Sequence, residues 1–287
     1  MKKRPARTVY LNGRFLAAST ARVSAEDRGL LYGDGLFETI RAERGRPVAF
    51  EAHLLRLRQA GERIRLRIPH GRGWWAAVVT ELLRRNQLEH EDAAVRLTVT
   101  RGVGGEGVLA PHRVRPTILV SARPIPRRLR EWQRRGVRVA LLPFHPGSNG
   151  YLSGVKTTDY LTAILGKAMA REQQAFEGLY CTADGRILEG TTSNVFLIRG
   201  NRLLTPPLAA GILPGITRAR VLEIAGRAGL RASERRIDIR DLEAADEAFL
   251  TASTIEIVPI RSVGRRRIGH GTYPWIRRLR SLFRASV

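Results

Sequence analysis

The chain writes its positive charge almost wholly as arginine. Of 50 basic residues 46 are arginine and four are lysine. Lys2 and Lys3 stand in the N-terminal tail, and Lys167 falls within a helical pattern where it reads as a surface residue. The fourth, Lys156, sits among small and polar neighbours in S-G-V-K-T-T-D-Y-L, residues 153–161. A lysine amine can lose its proton and act as a nucleophile or base, which a guanidinium cannot do. Lys156 is therefore a candidate for chemistry that this composition could not hand to arginine.

Four further pieces could complete a site. Glu189 lies between a hydrophobic strand start and a run of hydroxyl and amide side chains in L-E-G-T-T-S-N-V-F. Gly215, Ile216 and Thr217 open a helix, where free backbone N–H groups and a hydroxyl suit a phosphate. Ser253 and Thr254 leave a hydrophobic strand and offer two more hydroxyls, and Arg56 stands on a long helix in H-L-L-R-L. Each has an ordinary reading when taken alone: a solvated strand-end glutamate, a plain helix cap, a strand end, a surface arginine. Together they form the set that pyridoxal 5'-phosphate requires. The amine forms a Schiff base with the cofactor aldehyde, the acid pairs with the pyridine nitrogen, and the helix start, hydroxyls and arginine hold the phosphate.

The elements that must position these groups are readable from patterning. R-T-V-Y-L-N-G-R-F-L is a hairpin turning at Asn12-Gly13, and L-F-E-T-I-R-A-E-R-G-R-P-V-A-F is a second. Helical spacing covers 51–66 and 73–86, the latter with Trp74, Val78, Leu82 and Leu83 on one side. Strands follow at A-V-R-L-T-V-T and T-I-L-V-S-A. V-R-V-A-L-L-P-F opens the second half, followed by a loop rich in Pro, Gly, Ser and Asn. After Lys156, Leu161, Ile164, Leu165, Ala168 and Met169 recur at helical spacing, with Thr157, Thr158 and Asp159 as capping candidates. G-L-Y-C-T-A-D, R-I-L-E-G-T-T-S-N-V-F-L-I and N-R-L-L-T-P-P read as three strand-like segments. A helix from Gly215, the strand E-A-F-L-T-A-S with its turn into E-I-V-P-I, and a basic C-terminal helix complete the chain. The expected class is α/β (α+β mixed) in two domains: a small N-terminal one over 1–121, a linker over 122–130, and a larger cofactor-binding one over 131–287.

Global composition narrows the classes of function. At 43% hydrophobic residues the chain can bury real cores, and it has no apolar run of about 18 residues. The start is basic without an apolar stretch behind it, unlike a signal peptide. The lone Cys181 fits a reducing cytoplasm and a packed strand position. A net charge of +24 invites a nucleic-acid reading. The arginines are scattered along helix faces and loops, however, with no zinc-ligand spacing and no RNA-recognition motif, so nucleic acid is not the expected partner.

The motifs, in order, resemble the class IV aminotransferases, the fold-type IV pyridoxal-phosphate enzymes. These include branched-chain aminotransferases, D-amino-acid aminotransferases and 4-amino-4-deoxychorismate lyases. The likeness is carried by E-G-T-T-S-N-V-F, L-L-T and L-P-G-I-T-R between Glu189 and Arg218, flanked by Y-G-D-G-L-F-E-T-I-R, H-L-L-R-L, V-K-T-T-D-Y-L and T-A-S-T-I-E-I-V-P-I. It spans roughly residues 8 to 280. The resemblance implies that Lys156 is the Schiff-base lysine and proton carrier, with Glu189 on the pyridine nitrogen. Arg56, Gly215, Ile216, Thr217, Ser253 and Thr254 would surround the phosphate. Leu213 would pack on one ring face, Tyr160 would approach the ring hydroxyl, and Asn194 would brace the ring site or its loop. It implies a cofactor at the domain interface and a homodimer, and no metal. An amino donor and a 2-oxo acid would be the small-molecule partners.

The reaction is less sharply written. Tyr32 resembles the family's substrate-facing tyrosine, and Arg96 occupies the strand position where branched-chain enzymes carry an arginine; with Thr254 these form the expected substrate set. The subgroup-separating loop reads R-G-V-G-G-E-G-V. Glu106 and Val108 stand where D-amino-acid enzymes carry a carboxylate-trapping Arg and His, and the second arginine of the lyase pattern is absent. Against the branched-chain subgroup, K-T-T-D-Y-L lacks the G-N-Y that often follows the lysine. A transaminase of branched-chain or broad specificity leads, a D-specific one follows, and the lyase and an (R)-selective amine transaminase remain as alternatives. A pyridoxal-binding protein that has lost its activity gains no support, since Lys156, Glu189 and Arg56 are all present.

Overall fold

The computed structural model describes residues 7–111, 113, 115–144 and 150–285. The basic tail with Lys2 and Lys3, and most of the Pro-Gly-Ser-Asn loop, lie outside them. The chain divides into two compact units, one of residues 1–125 with 155–160, the other of 126–154 with 161–287.

In the first unit, β1 (Thr8–Leu11) and β2 (Arg14–Ala17) form the expected hairpin. Its Asn12-Gly13 turn has positive φ at both residues, 46° and 92°, which is what a two-residue turn of matching twist demands. Next come α1 (Arg28–Tyr32), β3 (Gly35–Glu43), β4 (Arg46–Pro47), α2 (Phe50–Arg63), α3 (Arg72–Arg85), β5 (Ala93–Thr100) and β6 (Thr117–Pro124). The strands order as β2-β1-β6-β5-β3-β4 among the described residues. One sheet face carries Leu36, Ile40, Val95, Leu97 and Val120 against Leu54 and Leu57 of α2 and Trp75, Val78, Val79, Leu82 and Leu83 of α3. Trp74 lies at the edge of this cluster, half-buried, and Trp75 is the residue driven fully inside.

The second unit contains α4 (Leu129–Arg135), β7 (Val137–Leu142), α5 (Leu161–Glu172), β8 (Glu177–Cys181), β9 (Arg186–Gly190), β10 (Asn194–Arg199), β11 (Arg202–Thr205) and α6 (Ile216–Ala225). β12 (Arg231–Glu234), β13 (Ile237–Asp238), α7 (Ile239–Glu243), β14 (Glu247–Ala252), β15 (Glu256–Val263), β16 (Arg266–Arg267) and α8 (Pro274–Arg284) complete it. Its strands order as β12-β11-β10-β14-β15-β7-β8-β9-β13, with β16 on β15. Phe196 and Phe249 stack at 4.9 Å inside a core shared with Val221 and Ile224 of α6 and Ile276, Leu279 and Phe283 of α8. Cys181 is buried as expected, and burial pushes its thiol up to about 11, so it is an inert packing residue.

Three expectations require correction. The segment R-I-L-E-G-T-T-S-N-V-F-L-I is two strands, β9 and β10, separated by a turn at 191–193. Thr158 does not cap α5: its hydroxyl donates to the Gly33 carbonyl at 2.7 Å. The helix itself forms, but its apolar stripe faces outward. Ala163, Gly166 and Ala170 point into the unit, whereas Leu161, Ile164 and Leu165 are exposed. The reason is close approach: a Cβ at position 166 would come within 2.8 Å of Leu142 and Thr191, so only small residues fit that face.

Candidate functional site

Within the first unit, the segment around Lys156 joins the sheet. Phe37 N–H donates to the Lys156 carbonyl at 3.0 Å, Thr158 N–H donates to the Gly35 carbonyl at 2.9 Å, and Leu36 bridges Thr157 antiparallel. Lys156 is thereby fixed in backbone position by β3. Its Nζ lies 4.4 Å from the Phe37 ring centroid and 5.5 Å from that of Tyr160, and the two rings meet edge to face at 5.1 Å. Arg96 lays its guanidinium on the same phenylalanine, 3.5 Å from the centroid. Pairing explains the convergence. Phe37 opposes Thr98 and Thr39 opposes Arg96 on β5, so these side chains share one sheet face. Among the described residues the Arg96 guanidinium makes one hydrogen bond, Nε to Thr98 Oγ1 at 3.3 Å. Burial lowers its pKa from the ordinary value, Tyr160 opposes that shift and Arg123 adds to it. Arginine stays charged under any such shift, so a half-buried cation shares the Phe37 ring with the lysine.

On the other face of β3, Glu38 is 1% exposed and accepts three charge-assisted bonds. Arg56 approaches it in fork geometry, Nε to Oε1 and Nη2 to Oε2, both at 2.7 Å, and His53 Nδ1 reaches Oε2 at 2.7 Å. Burial alone would raise this carboxyl, but the bonds from His53 and Arg56, with their charge, hold it at about 2. Arg56 is thus a braced guanidinium rather than a loose surface one.

Tyr32 closes α1 and is exposed, with the Arg28 guanidinium 4.8 Å from its ring centroid. Arg28 is the organising residue of this corner. It pairs through Nε with Asp34 at 2.9 Å, and its terminal nitrogens donate to the carbonyls of Gly107 and Val108 at 2.8 and 2.9 Å and, more weakly, to those of Gly104 and Leu109. Arg101 shares Asp34 at 2.7 Å and ties the carbonyls of Ile64 and Arg65. Burial acts to raise the Asp34 carboxyl, yet the bonds and charges of Arg101 and Arg28 keep it below the ordinary value. The R-G-V-G-G-E-G-V loop is therefore hung from a buried arginine. Sequence reasoning missed Arg28, Arg101 and Glu38; Asp34 lay inside the Y-G-D-G motif, but its partners were invisible.

The second unit holds the other cluster. Asn194, 4% exposed at the start of β10, donates to Glu189 Oε2 at 3.1 Å and to the Leu213 carbonyl at 3.0 Å. Leu213 N–H returns to the Glu189 carboxylate at 3.2 Å from both oxygens. Glu189 is thus a held acid at the end of β9, and Asn194 is its brace. Gly215 stands before α6, which has no side-chain cap among the described residues, so the amides of its first turn are available. A Cβ at 215 would lie 2.0 Å from Asn194 Oδ1, which explains the glycine. Ile216 is half-buried and Thr217 buried. Ser253 and Thr254 occupy the half-buried turn between β14 and β15. Next to them Thr251 pairs with Asn194 across the strands, and its hydroxyl is buried with no partner among the described residues. Lys167 is not a free surface lysine: it reaches the buried Glu177 at 2.9 Å.

Residues 35–263 match the family model for amino-transferase class IV. A Methanocaldococcus jannaschii protein, assigned provisionally as a branched-chain-amino-acid aminotransferase, is 37% identical over 264 residues, 91% of this chain and 90% of its own. The aminodeoxychorismate lyase of Bacillus subtilis is 31% identical over 255 residues, 89% of this chain and 86% of its own. Among solved structures, the branched-chain aminotransferase of Escherichia coli superimposes with a TM-score of 0.89 at 26% identity, covering 98% and 94% of the two chains. A hypothetical aminotransferase from Mycobacterium tuberculosis, in PLP-bound form, gives 0.86 at 26%, covering 98% and 100%. The two-sheet mixed α/β architecture is that of the fold-type IV enzymes. The chain belongs to the class IV aminotransferases and is an enzyme of that family.

Proposed function

We propose that the chain is a pyridoxal-phosphate-dependent transaminase that moves an amino group between an α-amino acid, of branched-chain or broad side-chain type, and a 2-oxo acid. The observation that carries this reading is Arg96 on Phe37, the ring that Lys156 also approaches, with its terminal N–H groups uncommitted among the described residues. A guanidinium so placed suits a carboxylate on the molecule that presents its amine to the lysine. A plain amine would have no use for it.

The donor set fits the cofactor. The uncapped start of α6 and the Thr251 hydroxyl, buried with no partner among the described residues, are features an anionic, hydrogen-bonding group would satisfy. When bound, pyridoxal phosphate supplies an aldehyde that condenses with amines and a ring that withdraws electrons from the adjacent carbon. Lys156 would carry it and move the proton at the substrate α-carbon. Glu189, aimed by Asn194 and the Leu213 amide, would hold the proton on the ring nitrogen. Arg56, the amides of Ile216 and Thr217, and the hydroxyls of Ser253 and Thr254 would bind phosphate, with Leu213 and Tyr160 flanking the ring. Tyr32 and Thr254 would face the substrate.

The outward apolar stripe of α5 supports a homodimer, with a second copy covering Leu161, Ile164 and Leu165. Helix α3, by contrast, uses its apolar residues in its own core. No helix among the described residues is long and apolar enough to cross a membrane, and a cytoplasmic enzyme is the reading this and the single buried thiol support.

Aminodeoxychorismate lyase activity is the second reading, favoured by the 31% identity to the Bacillus subtilis lyase. The test is a single-turnover spectral screen of the cofactor-loaded protein with L-branched-chain amino acids, D-alanine, L-glutamate and (R)-phenylethylamine. Conversion of the cofactor to its amine form by the L-amino acids is expected. Conversion only by the amine, or pyruvate release from aminodeoxychorismate without any such conversion, overturns the proposal.

A further inference from the structure

The hydroxyls of T-T-S, residues 191–193, are the part of the signature that the site leaves unexplained. They do not point at a ligand. All three converge on one carboxylate, Glu177, which begins β8 and is 1% exposed. Its Oε1 accepts the Thr191 hydroxyl, Lys167 Nζ at 2.9 Å and Gly178 N–H at 3.0 Å. Its Oε2 accepts the hydroxyls of Thr192 at 2.9 Å and Ser193 at 3.2 Å. Five donors meet two oxygens, so the position demands an acceptor with no proton of its own. The backbone closes the same loop, through Thr191 N–H to the Gly178 carbonyl at 2.9 Å and Gly190 N–H to the Ser193 carbonyl at 2.7 Å. A Cβ at 190 would come within 2.3 Å of Ser193 Oγ and 3.0 Å of Glu177 Cγ, so the glycine of E-G-T-T-S-N is required by this packing.

The turn so fixed is the whole covalent path from Glu189 to Asn194. Asn194 leaves it in position to donate to Glu189 and to Leu213. We infer that Glu177 is a positioning residue: by gathering the 191–193 hydroxyls it sets the 190–194 turn, and through Asn194 it sets the aim of the Glu189 carboxylate toward the cofactor's ring nitrogen. This rests on the pyridoxal-phosphate reading above. A carboxamide at 177 would turn a donor toward donors and release at least one hydroxyl, whereas an aspartate would keep the charge on a shorter arm.

The test titrates apoprotein with pyridoxal phosphate and follows the pH midpoint of the bound cofactor's absorption, alongside the melting temperature. It compares wild type with Glu177→Gln, Glu177→Asp and Thr192→Val. In E177Q the dissociation constant is expected to rise about tenfold, the usual scale for the outer partner of a ligand-holding group, and the pH midpoint to move by at least about half a unit. E177D should recover part of both, and T192V should fall between wild type and E177Q. A purely structural role would lower the melting temperature and leave the midpoint unmoved. If E177Q does not fold, T192V carries the test alone, because it removes a single partly buried bond. Variants that bind with wild-type affinity and midpoint overturn the inference alone. Wild-type protein that takes up no cofactor overturns the functional reading, and this inference with it.

Discussion

Replacing Glu38 by glutamine makes a prediction whose size follows from the structure. The carboxyl is held at about 2 against an ordinary 4.5, and the group is almost fully buried, so the shift converts to about 3 kcal/mol of folding stability. The sign follows from the direction. A lowered native pKa contributes its full stabilisation above the unfolded value, near 4.5, and loses it as pH falls through that value toward 2. The contribution is therefore whole at pH 7 and more than half gone by pH 3. Glutamine at 38 also leaves Arg56 and His53 facing an amide, a cost that does not depend on this proton. The assay is urea unfolding of the first unit read by tryptophan fluorescence. Trp74 and Trp75 both lie in that unit, and Trp132→Phe with Trp275→Phe silences the other two of the four tryptophans. Subtracting E38Q from wild type at each pH cancels the titration of the other carboxylates and the repulsion of a +24 chain. The difference should fall by about 2 kcal/mol between pH 7 and pH 3. A difference that is flat across this range would refute the assignment of Glu38 as a charged acceptor for Arg56 and His53.

Three further outcomes are expected. Arg96→Leu should raise the half-saturating concentration of L-amino acids in the spectral assay by about 10- to 100-fold, the value of a charge-assisted bond to a carboxylate, while (R)-phenylethylamine reactivity does not fall in parallel. Gly215→Ala pushes a methyl group against Asn194 Oδ1 and should weaken pyridoxal-phosphate uptake at least about tenfold with an unchanged circular dichroism spectrum. Ile164→Glu, on the outward stripe of α5, should shift the protein toward monomer in light scattering, and an unchanged mass would remove α5 from the interface.

The sequence made much of the frame legible because local rules sufficed there. Asn12-Gly13 fixes a hairpin by its own φ preferences, and the alternation in β5 and the helical spacing of α3 place their own residues. The signature motif marked Glu189, Asn194 and Gly215 together, and the structure joins the first two through Leu213 and packs the glycine on Asn194. What escaped was everything that depends on partners remote in the chain. Residues 186–198 read as one strand because β-propensity cannot see that three hydroxyls will turn toward Glu177. Lys167 looked like a surface residue for the same reason. The stripe on α5 marked a helix but not its orientation, which is decided by Leu142 and Thr191 leaving room only for a glycine. Arg28 was one arginine among 46, and nothing local distinguishes a buried one.

Arg28 also bears on how such an enzyme can change. It holds residues 104–109 entirely through carbonyl oxygens, groups that every residue possesses. The side chains of Glu106, Val108 and Leu109 take no part in that grip, and all three are exposed. They can be exchanged without moving the backbone that presents them. Evolution, or a laboratory library confined to these positions, can thus vary the outward chemistry of a loop whose path is held from below. Substitutions at Arg28 or Asp34 would lose the loop before any new preference could be selected.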